Sequence, residues 1–232
     1  AVSLNVGDGN TGPGGLISFA AGESTDVTGG SLSWRSGASL AHSSGKIAVW
    51  SPDAGAAGVS GFVSFTTGST SSGSSGEVLF ETGPATGSNG GFISFIVGSG
   101  NVAAGGKVIV SAGNSQADTG GAMLLDSGFS IATTSGAVVL STGDAGVAGV
   151  SGGIEFRTGT TSTGSSGMIS FATGASTSGA GGDISMTVGS GDTGSGGDIV
   201  VTAGESTAAS AAGGRVSLTG GVGSSTTAGA GG

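Results

Sequence analysis

The chain has 232 residues, 55 of them Gly, and carries neither Cys nor Tyr. Its 14 acidic against 5 basic side chains leave a net charge of −9, which argues against binding nucleic acid, whose phosphates need Lys and Arg to neutralise them. Without Cys there are no disulfides or thiolate metal sites, and no apolar run reaches the ~18 residues of a membrane-spanning helix.

Taken in order, the chain restates one sentence. Cutting before each apolar pair gives fifteen repeats, which begin at Ala1, Leu16, Ser31, Lys46, Phe62, Glu77, Phe92, Lys107, Ala122, Ala137, Gly153, Met168, Asp183, Asp198 and Arg215. Most are 15 residues long; those at Lys46 and Ala137 have 16, and the last two have 17 and 18. Met168 to Gly182, MISFATGASTSGAGG, shows the pattern plainly. An aliphatic residue or Met stands at place two and a large apolar residue at place four. Place six is small or Val, and Gly stands at place seven (Pro52 in the fourth repeat) and at the end.

Places two, four and six alternate with mostly Ser and charged residues at one, three and five, the period of a strand with one covered face. The seventh-place Gly is expected to end the strand with a positive φ. The segment of Ser, Thr, Ala and Gly that follows, always small at place nine, reads as a thinner second wall facing the Phe and Leu side chains. The expectation is an all-β chain: a single-stranded-repeat β-solenoid (β-helix) of fifteen rungs, continuous over residues 1–232 and a window of a longer repetitive chain. Rungs ~4.8 Å apart would make a rod about 70 Å long, stacking Phe65, Phe80 and Phe95 in one column and Phe156, Phe171 and Met186 in another. A Gly-rich sandwich and a disordered chain are the alternatives.

A longer period overlies the first. Residues 53–61, DAGAAGVSG, return as residues 144–152, DAGVAGVSG, a shift of 91. Place six follows it too: Val6, Ala21 and Ser36 recur as Val97, Ala112 and Ser127. A six-rung super-repeat suggests a lateral neighbour every ~30 Å, or else duplication of a six-rung block.

Chemistry-bearing residues are few. Asp198, after Gly-Ser-Gly-Gly, has the flavour of a calcium roll, with Asp183 one rung below; Phe92, Lys107, Ala137 and Met168 in the same place leave at most an incidental surface Ca²⁺ at those two carboxylates. His42 is the only histidine and reads as a loop residue. Gly98-Ser-Gly100 reads as turn punctuation, since a phosphate loop needs a following helix. Glu77, Glu81 and Glu155 read as solubilising carboxylates rather than a glycosidase pair. Trp50, Phe62, Leu79, Phe92, Ile96, Ile109, Leu124 and Met168 fall at places one, three or five beside charged residues, and apolar residues in a row on a solvent face predict a partner that covers them.

The repeat in Phe62-Val-Ser-Phe-Thr-Thr-Gly-Ser-Thr-Ser-Ser-Gly-Ser-Ser-Gly76 resembles the Gly/Ser/Thr-rich repeats of large secreted β-solenoid proteins: adhesins, cell-surface fibres, and algal and protist coats. Insect antifreeze solenoids share the 15-residue coil, but the irregular Leu79/Glu81 and Leu124/Asp126 pairs here are unlike their Thr-x-Thr face. The resemblance implies a non-enzymatic structural component of an extracellular or cell-surface filament, sheath or layer. Its partners would be copies of itself or other subunits. A glycan-binding adhesin, and then an ice-binding protein, are the alternatives.

Overall fold

A computed structural model describes residues 2–224; residues 225–232 of the fifteenth repeat lie outside the described residues. The β-solenoid expectation is overturned. Among the described residues there is no strand, no sheet and no helix. A β-solenoid requires each rung to donate backbone N–H groups to the carbonyls of the next. Here every backbone–backbone hydrogen bond among the described residues joins two residues of one repeat. The chain divides into two units, Ala1–Ser111 and Ala112–Gly232.

The physical reason lies at the two ends of each loop. The Gly30 N–H donates to the Gly22 carbonyl at 2.8 Å, and Gly45 N–H to Gly37 at 2.9 Å. In the second unit Gly121 closes on Gly113, Gly136 on Gly128 and Gly214 on Gly204, each at 2.8 Å. These are the final and seventh-place glycines of single repeats. Backbone groups that a ladder would have used between repeats are thus engaged inside one. The seventh-place glycines serve as acceptors and do not take the positive φ expected of them. Positive φ among described glycines occurs only at Gly73 (102°), Gly164 (108°) and Gly194 (82°), in the bends. Gly73 and Gly164 are 91 residues apart, so the super-repeat is written in backbone conformation as well as sequence.

The 15-residue period itself is physical. The chain bends at 25–27, 40–42, 71–73, 86–88, 101–103, 116–118, 131–133, 162–164 and 177–179, the same places of successive repeats. Where place nine carries a hydroxyl it can brace the bend rather than form a wall. The Ser39 hydroxyl accepts the His42 N–H at 2.9 Å, Ser115 that of Asp118 at 2.9 Å, and Ser130 that of Thr133 at 2.9 Å. A side-chain oxygen that stands in for a backbone acceptor is the usual device of a Ser/Thr turn. Ser130→Ala should therefore speed hydrogen exchange at the Thr133 amide roughly tenfold, the equivalent of about 1 kcal/mol for one hydrogen bond. An unchanged rate would show that the bend holds without its hydroxyl.

Place six has the most consequential contact, because its side chain lies against the final Gly of the same repeat. A Cβ on Gly30 would stand 3.3 Å from the Ala21 Cβ and 3.1 Å from the Gly22 nitrogen. Cβ atoms on Gly76, Gly91, Gly152 and Gly167 would meet Thr67, Thr82, Thr142 and Thr158 at 3.4 Å. A side-chain hydroxyl also closes some loops: Ser36 Oγ donates to the Gly45 carbonyl at 2.9 Å beside the backbone bond, while in repeats without that bond Ser51 Oγ donates to Gly61 at 2.8 Å and Thr173 Oγ1 to Gly182 at 3.1 Å. Place six runs Val, Ala, Ser, Ser, Thr, Thr over six repeats. It begins again 91 residues on, with Thr142 in place of Ser51.

No core accompanies this. Among the described residues no side chain is buried; Ser36, Ser51, Ala203 and Ser206 alone are half-buried. The accessible surface is 22475 Å², against about 9,000 Å² for an ordinary folded monomer of this mass. Neighbouring repeats still touch within each unit. Phe19 meets Trp34 and Phe65 meets Phe80 edge to face, with ring centroids at 6.3 and 6.4 Å, and Phe156 meets Phe171 at 6.3 Å. Parts of the expected aromatic columns therefore exist as side-chain pairs that need no backbone ladder.

Candidate functional surface

The eight apolar residues singled out as contacts all lie exposed: Trp50, Phe62, Leu79, Phe92, Ile96, Ile109, Leu124 and Met168. Their exposure differs from that of the opposite face in degree. Phe62, Phe92 and Ile96 are 88 to 91% exposed, whereas Ile17, Val63 and Ile169 at place two are 43 to 47% exposed. The alternation read from the sequence is thus present in an extended chain that makes no sheet. Place two is half covered in several repeats, while place four ranges from 53% exposed at Val49 to 94% at Leu218. The eight residues at places one, three and five are 69 to 91% exposed.

Carboxylates do not gather. Among the described residues no three His, Asp or Glu side chains stand close enough to hold a metal ion, and Asp183 and Asp198 are not brought into such a group. Glu155 pairs with Arg157, the Nη2 to Oε2 distance being 3.0 Å. This pair is two residues apart on one segment with both side chains mostly in water, so it adds little to stability. The His42 backbone is held by Ser39, which places the histidine in a bend. No described helix is long and apolar enough to cross a membrane.

Hollows among the described residues include two that each lie inside one unit. The larger, about 810 Å³, is open and bordered by Leu4, Asn5, Val6, Asp8, Ile17 and Pro52. Its one carboxylate, Asp8, has no acid, base or nucleophile beside it with which to divide a reaction. The smaller, about 450 Å³, lies against Phe171, Ile184, Ser185 and Met186 and is a gap between the side chains of successive repeats.

The sequence reading missed the apolar residues on the bend side. Leu40, Val59, Ile131 and Val150 are 95 to 109% exposed. The signal was available: Val59 and Val150 stand in the two strings that define the 91-residue shift, and Leu40 and Ile131 are 91 apart as well. No protein-family model matches this chain, and comparison with curated proteins and with solved structures likewise finds no match.

Proposed function

We propose that the chain is a non-catalytic structural segment that becomes ordered by assembly with further copies of itself, as part of an extracellular or cell-surface filament, sheath or layer. The observation that carries this reading is the absence of any buried side chain among the described residues of a chain that is 35% hydrophobic. Apolar surface on that scale is driven from water, and an extended repeat can cover it only with another chain. The exposed apolar residues are spread along the whole repeat array and not confined to one patch. That distribution suits packing along the length of a neighbour better than capture of a compact ligand. The resemblance to secreted fibre and coat repeats points the same way.

Sedimentation velocity across a wide concentration range, paired with electron microscopy, tests the proposal. The expected result is a sedimentation coefficient that climbs with concentration, and filaments or sheets on the grid. A species of single-chain mass at every concentration, retained specifically by a glycan array, would replace it with the adhesin reading.

A further inference from the structure

The chain has five asparagines, and one of them stands in a setting the others lack. Asn5, Asn10, Asn101 and Asn114 are followed by Val6, Thr11, Val102 and Ser115; Asn89 alone is followed by glycine. It occupies place thirteen of the sixth repeat, just past the bend at 86–88. The other 15-residue repeats carry Pro, Ser, Thr or Ala at that place, and Ala180 stands there 91 residues on. No side-chain amide is available at any of them.

The backbone around Asn89 is open and weakly held. Asn89 is exposed, and the Gly90 N–H makes no hydrogen bond among the described residues. A Cβ on Gly90 would meet nothing within 4 Å. The next residue, Gly91, forms no backbone bond to Gly83 of the kind that closes the second, third, eighth and ninth repeats. Its carbonyl is held only by Thr82 Oγ1 at 3.4 Å, against 2.9, 2.8 and 3.1 Å for the closures by Ser36, Ser51 and Thr173. The Asp8–Gly9 pair, which has the same spacing of carboxyl carbon and glycine nitrogen, is placed differently. Gly9 is hemmed in by the Gly12 and Pro13 carbonyls.

We infer that Asn89 is a site of self-modification, at which the chain deamidates through its own Gly90 nitrogen. Asparagine is among the thermolabile residues, and here the following backbone is free to react. The Gly90 nitrogen, on losing its proton to solvent base, attacks Asn89 Cγ. A bond forms between them, the Cγ–Nδ2 bond breaks, and the side-chain nitrogen leaves as ammonia with protons from water. The product is a five-membered succinimide, and glycine is the residue whose missing Cβ and wide backbone freedom let that ring close. Water then opens the ring at either carbonyl. Opening at Cγ gives aspartate; opening at the main-chain carbonyl gives isoaspartate, in which the chain runs through the side-chain carbon. Nothing is oxidised or reduced: one water enters and one ammonia departs. Either product adds a negative charge, and isoaspartate also lengthens the main chain by a methylene between Gly83 and Gly91. That change falls in a repeat whose closure is already loose. It requires only a single chain, so it stands apart from the assembly reading.

Incubating the full chain in mildly alkaline buffer and following each asparagine by fragmentation mass spectrometry tests the inference. Asn89 should convert on the order of tenfold or more faster than Asn5, Asn10, Asn101 and Asn114, and should yield aspartate and isoaspartate together. Gly90→Ala fills open space and so leaves the loop as it stands; it should slow conversion of Asn89 roughly tenfold. Equal rates at all five asparagines would overturn the inference. So would a rate at Asn89 indifferent to Gly90→Ala, or aspartate without isoaspartate, since either result would mean that water attacks the side chain directly.

Discussion

Replacing Phe62, Phe92, Ile96 and Leu124 together by serine should raise the concentration at which the chain assembles by roughly a thousandfold. Fully covering one large apolar side chain contributes about 1.5–3 kcal/mol. If assembly covers only half of this set, about 4 kcal/mol is lost, and every 1.4 kcal/mol is a factor of ten in concentration. The four residues are 79 to 91% exposed, so the change removes little contact within the chain. Light scattering against concentration gives the threshold directly. An unchanged threshold would show that the extended segments face solvent in the assembly, and the bend side would then carry the whole contact.

Gly30→Val combined with Gly121→Val should open the second loop of both super-repeats. In each loop the new side chain meets the seventh-place backbone nitrogen, at 3.1 Å for Gly30 and 3.2 Å for Gly121, and the hydrogen bond that closes the loop is lost with it. A lost hydrogen bond and a forced displacement of backbone together cost about 2–3 kcal/mol per loop. Amide exchange at positions 30 and 121 should accelerate by well over tenfold, on the order of a hundredfold if the loop opens fully. Gly55→Val is the matched control, since a Cβ there meets nothing within 4 Å. Equal behaviour of the two variants would mean that the closing glycines are not required for their small size.

Much of this arrangement could be read from the residues, and the limits of that reading have a physical cause. The repeat length and the two-sided alternation of Ile93, Phe95 and their equivalents follow from spacing alone, whereas the bends fall at places ten to twelve and not at the seventh-place glycines where spacing put the turn. What spacing does not encode is where the backbone groups go. A period of two belongs to any extended segment, whether its N–H groups pair with a neighbour or with nothing, so it cannot separate a ladder from a series of self-closed loops. Gly7 and Gly15 look like turn punctuation in sequence. Only the coordinates show the Gly15 N–H reaching the Gly7 carbonyl at 3.3 Å. Place nine was legible as small but not as an acceptor, because Ser39 and Ser130 act through hydroxyl geometry that composition does not specify. The bend-side apolar residues were missed for a different reason. Leu40 and Val59 are isolated within their own repeats, and become a pattern only when compared with Ile131 and Val150.

Closure of a loop on its own two glycines, as in the repeats that end at Gly15, Gly30, Gly45, Gly121, Gly136 and Gly214, also bears on how such a chain can change in length. A repeat closed in this way has no backbone bond to the one before it, only side-chain contacts such as that of Phe19 with Trp34, so backbone pairing does not fix the number of repeats. Melting of the dispersed chain would then lack the sharp, length-dependent transition of a solenoid whose neighbours are coupled. Slippage or recombination that adds or deletes a single unit leaves the remaining loops intact but breaks the 91-residue order of place six. Gain or loss of six units together preserves both. The molecule can therefore grow in blocks of six without losing its longer period.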